Sequence, residues 1–205
     1  MSNLPEQGTK TDQARRRIGC AFLAGVMVLV SCFAIYFLSQ TLQVQRSYLY
    51  PFPYRDTVEL YAKRYQVDCF LVAAVIKVES KFQHDVHSHR GAVGLMQLMP
   101  DTADWIAQRM GERDYEEAAL HDPDRNLRYG IWYLADLEEE FKGNDVLALA
   151  AYNAGRGNVK DWMEEYGWQD DFSDIQAIPF RETRAYVKQV LDLRRKYHKL
   201  YSTAE

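Results

Sequence analysis

Three cysteines, six prolines and eleven glycines are few for 205 residues, and each shortage excludes something. Cys20 and Cys32 share one apolar run and Cys69 stands alone, so neither a disulfide framework nor a zinc-ligand spacing can be drawn from them. There is no internal repeat and no low-complexity tract, and the apolar/polar alternation of half-buried strands is nearly absent. Positive charge is not in excess. The net charge is −4, and Lys10, Arg15, Arg16 and Arg17 outweigh Glu6 and Asp12 within residues 1–17, so the rest is more acidic than the whole. Such a balance argues against nucleic acid as the partner.

Apolar content is not lacking. Hydrophobic residues make up 47% of the chain, enough for a packed core without covalent staples. One stretch, Ile18 to Leu38, runs 21 residues without a charge. A helix of that length matches the apolar thickness of a bilayer. Arg15, Arg16 and Arg17 precede it directly, which by the positive-inside rule leaves residues 1–17 as a cytoplasmic tail. The expectation is a single-pass anchor over 18–38, with everything after it outside the cytoplasm. Three other readings compete. A cleaved signal peptide has a shorter apolar core and a small-residue cleavage site, and Ser39-Gln40 is a poor one. Leu29-Val30-Ser31-Cys32 resembles a lipoprotein signal that would leave Cys32 acylated, although the chain stays apolar to Leu38. A buried core helix sits badly beside three arginines.

Residues 39–53 read as a linker, ending in Tyr50-Pro51-Phe52-Pro53 and reaching at most about 50 Å when extended. Beyond it, helix signals follow one another. Asp56 or Thr57 opens a helix to Tyr65, and Asp68 caps one running to Glu79 or Ser80. Pro100 lies in the first turn of a helix that ends near Met110. Further helices are expected from Asp122-Pro123 to Gly143, from Asn144 or Asp145 to Tyr152, from Asn158 to Tyr166 and from Thr183 to Tyr201, with a loop over 81–94. The fold class is mostly α, with one domain over 54–205.

Within the helix after Asp68, Val72, Val75, Ile76 and Glu79 fall on one face, which is otherwise apolar. Desolvation raises the pKa of a carboxyl so placed, and the negative end of the helix dipole acts in the same direction. A carboxyl protonated near neutral pH can serve as a general acid. A glutamate at a helix end is, however, more often simply exposed or hydrogen-bonded. In SHRGAVGLMQLMP (88–100) two glycines permit a tight turn, and Gln97 interrupts an apolar run. A glutamine there either binds a sugar hydroxyl or amide, or is a satisfied core group. Tyr152 and Asn153 close an apolar helix before Gly155 and Gly157, a pattern equally suited to an ordinary helix stop.

Taken together, AVIKVES (74–80), SHRGAVGLMQLMP (88–100), LALAAYNAGRGNV (147–159) and IPFRETRAYVKQVL (178–191) stand in the order found in SLT-type lytic transglycosylases, glycoside hydrolase family 23. The chain resembles their catalytic domain from about Tyr54 to Tyr201. The resemblance implies a lysozyme-like helical fold and cleavage of the β-1,4 bond between N-acetylmuramic acid and N-acetylglucosamine in peptidoglycan, leaving 1,6-anhydromuramoyl ends. It implies Glu79 as the single catalytic carboxylate and Ser88, Gln97, Met99, Tyr152, Asn153 and Glu182 as substrate contacts. It implies no metal and no cofactor; the partners are glycan strands and, through the N-terminal helix, the membrane. Arg184 is expected in a structural ion pair, and Tyr186 is either core or cleft. Cys69 departs from the family, which often has proline there. His84, His87 and His89 crowd the loop after Glu79 and read as exposed rather than as metal ligands. A hydrolytic muramidase of the same fold, with Asp85 or Asp101 orienting water, and a non-catalytic wall-binding protein are the alternatives. Nothing in the sequence assigns an oligomeric state.

Overall fold

The computed structural model describes residues 7–112 and 115–202, with side chains described from Leu23 onward. Residues 1–6 of the expected tail, the side chains of Arg15 to Arg17 and of 18–22, and residues 203–205 lie outside that description. The chain divides into two compact units, Met1–Pro51 and Phe52–Glu205.

The first unit holds α1 (Gln7–Ser39), then α2 (Leu42–Val44) and a π-helical turn, Gln45–Leu49. Thr41 starts the second piece, its hydroxyl accepting from the Val44 amide. The segment 39–53 is therefore partly helical, and shorter than its fully extended reach. Among the described residues no single helix is long and apolar enough to cross a membrane. Leu23–Ser39 and Leu42–Leu49 meet that test as a pair, bent by 74°. Leu29, Phe33, Phe37 and neighbouring large apolar side chains of α1 are more than half exposed. Among the described residues that exposure speaks against the buried-core reading of this stretch.

In the second unit seven α-helices follow one another, and among the described residues it holds no strand, only isolated bridges pairing Val93 with His87 and with Leu98. They are α3 (Arg55–Tyr65), α4 (Cys69–Glu79), α5 (Pro100–Arg109), α6 (Pro123–Glu140), α7 (Asp145–Ala154), α8 (Arg156–Tyr166) and α9 (Arg181–Tyr201). The caps are those the residue types dictate. The side chains of Asp68, Asp122 and Asn144 accept from the amides of Phe70, Arg125 and Leu147. The start of α3 differs from expectation: Tyr54, at φ +59°, replaces Asp56 or Thr57 as the cap, because the chain must turn sharply after Pro53.

The core is built around α4. Leu71 to Ile76 are all buried, so this short helix is enclosed on nearly every side. It packs on α9 and α3; α6 packs on α3, α5 and α7, and α7 also meets α8 and α9. At the N-terminal ends, the Arg194 guanidinium on α9 bonds the Asp68 cap of α4 at 2.6 Å and also Asp145 in the first turn of α7. One side chain thus fixes the axial register of three helices. Phe52 packs edge-on against Tyr197 and Tyr201, 5.6 Å between centroids in each case.

Candidate active site

Glu79 is the last residue of α4, and the chain folds back over it. Ser80, buried, donates to the Leu95 carbonyl at 2.8 Å, while Lys81 and Phe82 both take positive φ to turn the chain away. The returning segment, 92–98, is held from a distance by Asn126 of α6. The Asn126 side chain accepts from the Met96 amide at 2.9 Å and donates to the carbonyls of Val93 and Leu120 at 2.9 and 3.0 Å. Gly94, at φ +81°, is required here: a Cβ on it would lie 2.3 Å from the Asn126 amide nitrogen. Gly130 has the same role toward Met96, whose sulfur would stand 2.4 Å from an added Cβ.

Around the carboxyl, three segments converge. Tyr152, from the end of α7, donates to the Met96 carbonyl at 2.8 Å; burial raises the pKa of its hydroxyl well above the ordinary value, and the nearby Glu79 carboxylate adds to that. Tyr186, from the first half of α9, is buried, and its hydroxyl has no partner at ordinary hydrogen-bond distance. It nonetheless lies close enough to Glu79 to stabilise the charged carboxylate. Burial dominates over that influence: the Glu79 carboxyl is pushed up to about 7. Burial thus does to Glu79 what the apolar face in the sequence predicts.

The other candidate residues fall into distinct places. Gln97 sits at φ +47°, its amide donating to the carbonyls of Val86 and Gly94 at 3.0 and 2.9 Å. Its nitrogen is spent on holding the loop, so only its carbonyl oxygen is left to meet a ligand. Ser88 likewise turns inward, its hydroxyl accepting from the amides of Arg90 and Ala92. Met99 is 40% exposed at the start of α5. No hydrogen bond or ion pair joins Ser88 or Met99 to Glu79 among the described residues. Asn153 and Glu182 line a common cleft of about 500 Å³. There the Thr183 hydroxyl donates to Asn153 Oδ1 at 2.8 Å, which fixes the amide and leaves its NH₂ free to donate.

One expectation needs revision: among the described residues Arg184 makes no ion pair, and it donates instead to the Gln176 carbonyl at 3.1 Å, clamping the loop ahead of α9. Tyr186, which the sequence leaves as either core or cleft, is buried close to Glu79, and Thr183, also buried, bonds Asn153 without having stood out in the sequence. The signal for both is their spacing on α9: residues 183, 186 and 187 lie at i, i+3 and i+4 on one buried helical face, the one toward α4 and α7. His84, His87 and His89 are exposed, with the His87 ring 4.9 Å from that of His121.

A further layer supports Tyr152. Its ring meets Tyr133 at 5.5 Å, and Arg156 lies over Tyr133 and Trp105 while pairing with Asp136 and Glu140. This shell supports the Tyr152 ring.

Known proteins share this arrangement. The chain is 36% identical over 144 residues to the soluble lytic murein transglycosylase of Salmonella typhimurium, covering 69% of this chain and 22% of that protein. It is 30% identical over 165 residues to the membrane-bound lytic murein transglycosylase C of Actinobacillus pleuropneumoniae, covering 70% and 45%. The 70 kDa soluble lytic transglycosylase of Escherichia coli superposes with a TM-score of 0.69 at 33% identity, over 73% of this chain and 25% of that one. An inactive Glu-to-Gln mutant of the lytic transglycosylase Slt from Pseudomonas aeruginosa superposes with a TM-score of 0.68 at 33% identity, over 86% and 30%. The chain thus spans less than half the length of these curated relatives. The Transglycosylase SLT domain covers residues 56–175, which takes in Glu79, the Gln97 loop and the Tyr152-Asn153 pair. The helices that bring these residues together are those of the Transglycosylase SLT domain family, and the chain belongs to it.

Proposed function

We propose that this protein is a peptidoglycan lytic transglycosylase whose acid and base are both Glu79. The observation that carries the reading is a lone carboxyl at the end of a buried helix, its pKa raised to about 7 by desolvation, flanked by the hydroxyls of Tyr152 and Tyr186. A group titrating there can give a proton and take one back at the same pH.

Protonated Glu79 donates to the oxygen joining N-acetylmuramic acid to N-acetylglucosamine, and the bond from that oxygen to muramoyl C1 breaks. The positive charge at C1 is taken up by the carbonyl oxygen of the sugar's own N-acetyl group. Glu79, now a carboxylate held by Tyr186, accepts the proton of the muramoyl C6 hydroxyl. O6 bonds to C1, the 1,6-anhydro ring closes and Glu79 is again protonated. The nucleophile belongs to the substrate, so positioning supplies much of the rate. The Gln97 carbonyl and the Asn153 NH₂ are suited to holding the sugar amide and hydroxyls, and Glu182 a more distant sugar; Ser88 and Met99 border the same groove. A single Glu-to-Gln change gives an inactive mutant of the Pseudomonas relative, in keeping with a mechanism that turns on one glutamate. Mass analysis of digested cell wall tests the chemistry: anhydro ends are expected, and reducing ends would identify a hydrolase instead.

Residues 1–17 form the cytoplasmic tail, 18–38 the membrane anchor, 39–53 the linker and 54–205 the catalytic domain outside the membrane. The uncharged run 18–38 with its exposed apolar side chains supports this, as does the membrane-bound relative. Acylation at Cys32 is the competing attachment, and mass spectrometry of the purified protein separates the two. The linker limits cutting to strands near the membrane. Deleting residues 1–46 should widen the range of strands degraded in cells; an unchanged pattern counts against the tether.

A further inference from the structure

Charge is unevenly spread over the second unit. Residues 54–180 hold 24 acidic side chains against 13 basic ones, whereas 193–201, the end of α9, hold Arg194, Arg195, Lys196 and Lys199 and no acid. Arg194 is spent on Asp68 and Asp145, and Arg195 pairs with Asp192. Lys196 and Lys199 are exposed, and neither has an ion pair or hydrogen bond among the described residues. The negative end of the helix dipole accounts for a cation at Lys199, but Arg195 and Lys196 stand more than a turn from that end.

The same helix end receives the chain from the linker. Phe52, the first residue of this unit, is buried against Tyr197 and Tyr201. Phe82 lies 6.2 Å from the Phe52 ring, and the exposed Lys81 precedes it. The covalent connection therefore enters the domain at its basic end. Along the same stretch of α9 opens a cavity of about 760 Å³, apolar at Phe70 and Leu191 and basic at Arg195, His198 and Lys199. Asp68 and Asp145 also line it, but both are already held by Arg194.

A basic rim around a partly apolar cavity fits a ligand with fixed negative charge and an apolar body. Phospholipid headgroups offer phosphodiesters above an apolar layer, and basic clusters close to a membrane attachment are drawn to them. The acidic remainder of the domain is repelled by the same surface, which selects this face. Resting on the membrane-anchor reading above, we infer that the end of α9, through Arg195, Lys196 and Lys199, docks the domain on anionic phospholipid headgroups. Tether and docking face together then fix how the domain stands on the membrane. The contacts are exposed, so salt weakens them.

The experiment places the full chain in vesicles of phosphatidylcholine, or of phosphatidylcholine and phosphatidylglycerol mixed two to one. Lysine acetylation is followed by mass under single-hit conditions, with Lys142 and Lys160 as references on other helices. In the anionic vesicles Lys196 and Lys199 should be labelled roughly fivefold or more slowly than in the neutral ones, with the references unchanged. High salt should abolish the difference. In K196E the protection of Lys199 should fall, and K196R should keep it. Equal labelling in the two vesicles, equal slowing of the reference lysines, or full protection of Lys199 in K196E overturns the inference. Flotation tests the anchor separately. A chain that floats with anionic but not neutral vesicles refutes the anchor and leaves the docking face standing; one that floats with neither refutes both.

Discussion

The Tyr186 hydroxyl, buried on α9 and without another partner, faces the Glu79 carboxyl at the end of α4. The nearby hydroxyl dipole favours the carboxylate and has less to offer the protonated acid. It pulls the Glu79 pKa down while burial pushes it up, and burial wins.

Replacing Tyr186 with Phe removes the one influence that favours the charged form. The Glu79 pKa should then rise, by roughly half a unit to one unit for a single neutral hydrogen bond. The alkaline limb of the pH–rate profile, where the acid form is lost, should move to higher pH by that amount, with a lower maximal rate. The profile of Tyr186→Phe against wild type reads both changes.

The same burial has a cost in stability. A carboxyl whose folded pKa lies above its unfolded value stabilises the fold below the unfolded pKa, and that contribution is lost as pH rises through the folded one. For Glu79 the window runs from the ordinary carboxylate range to about 7. Glu79→Gln should therefore match wild type in stability near pH 4 and exceed it at pH 8, by up to about 3 kcal/mol. Glu138, also raised to about 7, titrates in both proteins and cancels in the comparison. Urea unfolding at the two pH values measures the difference.

Asn126→Ala leaves the Met96 amide and the carbonyls of Val93 and Leu120 without their partner, all three in the interior. The loss should be roughly 3 kcal/mol. Because Tyr152 hangs on the Met96 carbonyl, activity should fall at temperatures where the domain is still folded. Thermal unfolding and the rate of wall digestion, taken together, check this.

Arg194→Ala frees Asp68 and Asp145 at once. About 1–3 kcal/mol should be lost at neutral pH, since the pair is only partly exposed and its removal leaves two carboxylates side by side. Urea unfolding of the two proteins at neutral pH measures the loss.

What the sequence discloses depends on range. The face shared by Val72, Val75, Ile76 and Glu79, and the caps at Asp68 and Asn144, follow from helical periodicity and local hydrogen bonding, so they are readable over a few residues. Asn126 is not: it looks like one polar residue in an amphipathic helix, and its partners lie up to 33 positions away. Ser88 and Gln97 read as ligand contacts, yet much of their hydrogen-bonding capacity serves their own loop. Thr183 matters only through Asn153, 30 residues earlier. Residues 39–53 read as a linker, yet Thr41 starts a short helix within them.

The direct test of Glu79 is a paired digestion of purified cell wall by wild type and Glu79→Gln, with released anhydro ends quantified by mass. A group that serves as both acid and base should be indispensable: anhydro ends should fall by at least about 10²-fold in Glu79→Gln while the protein remains folded. Anhydro ends released at the wild-type rate by Glu79→Gln would contradict the account.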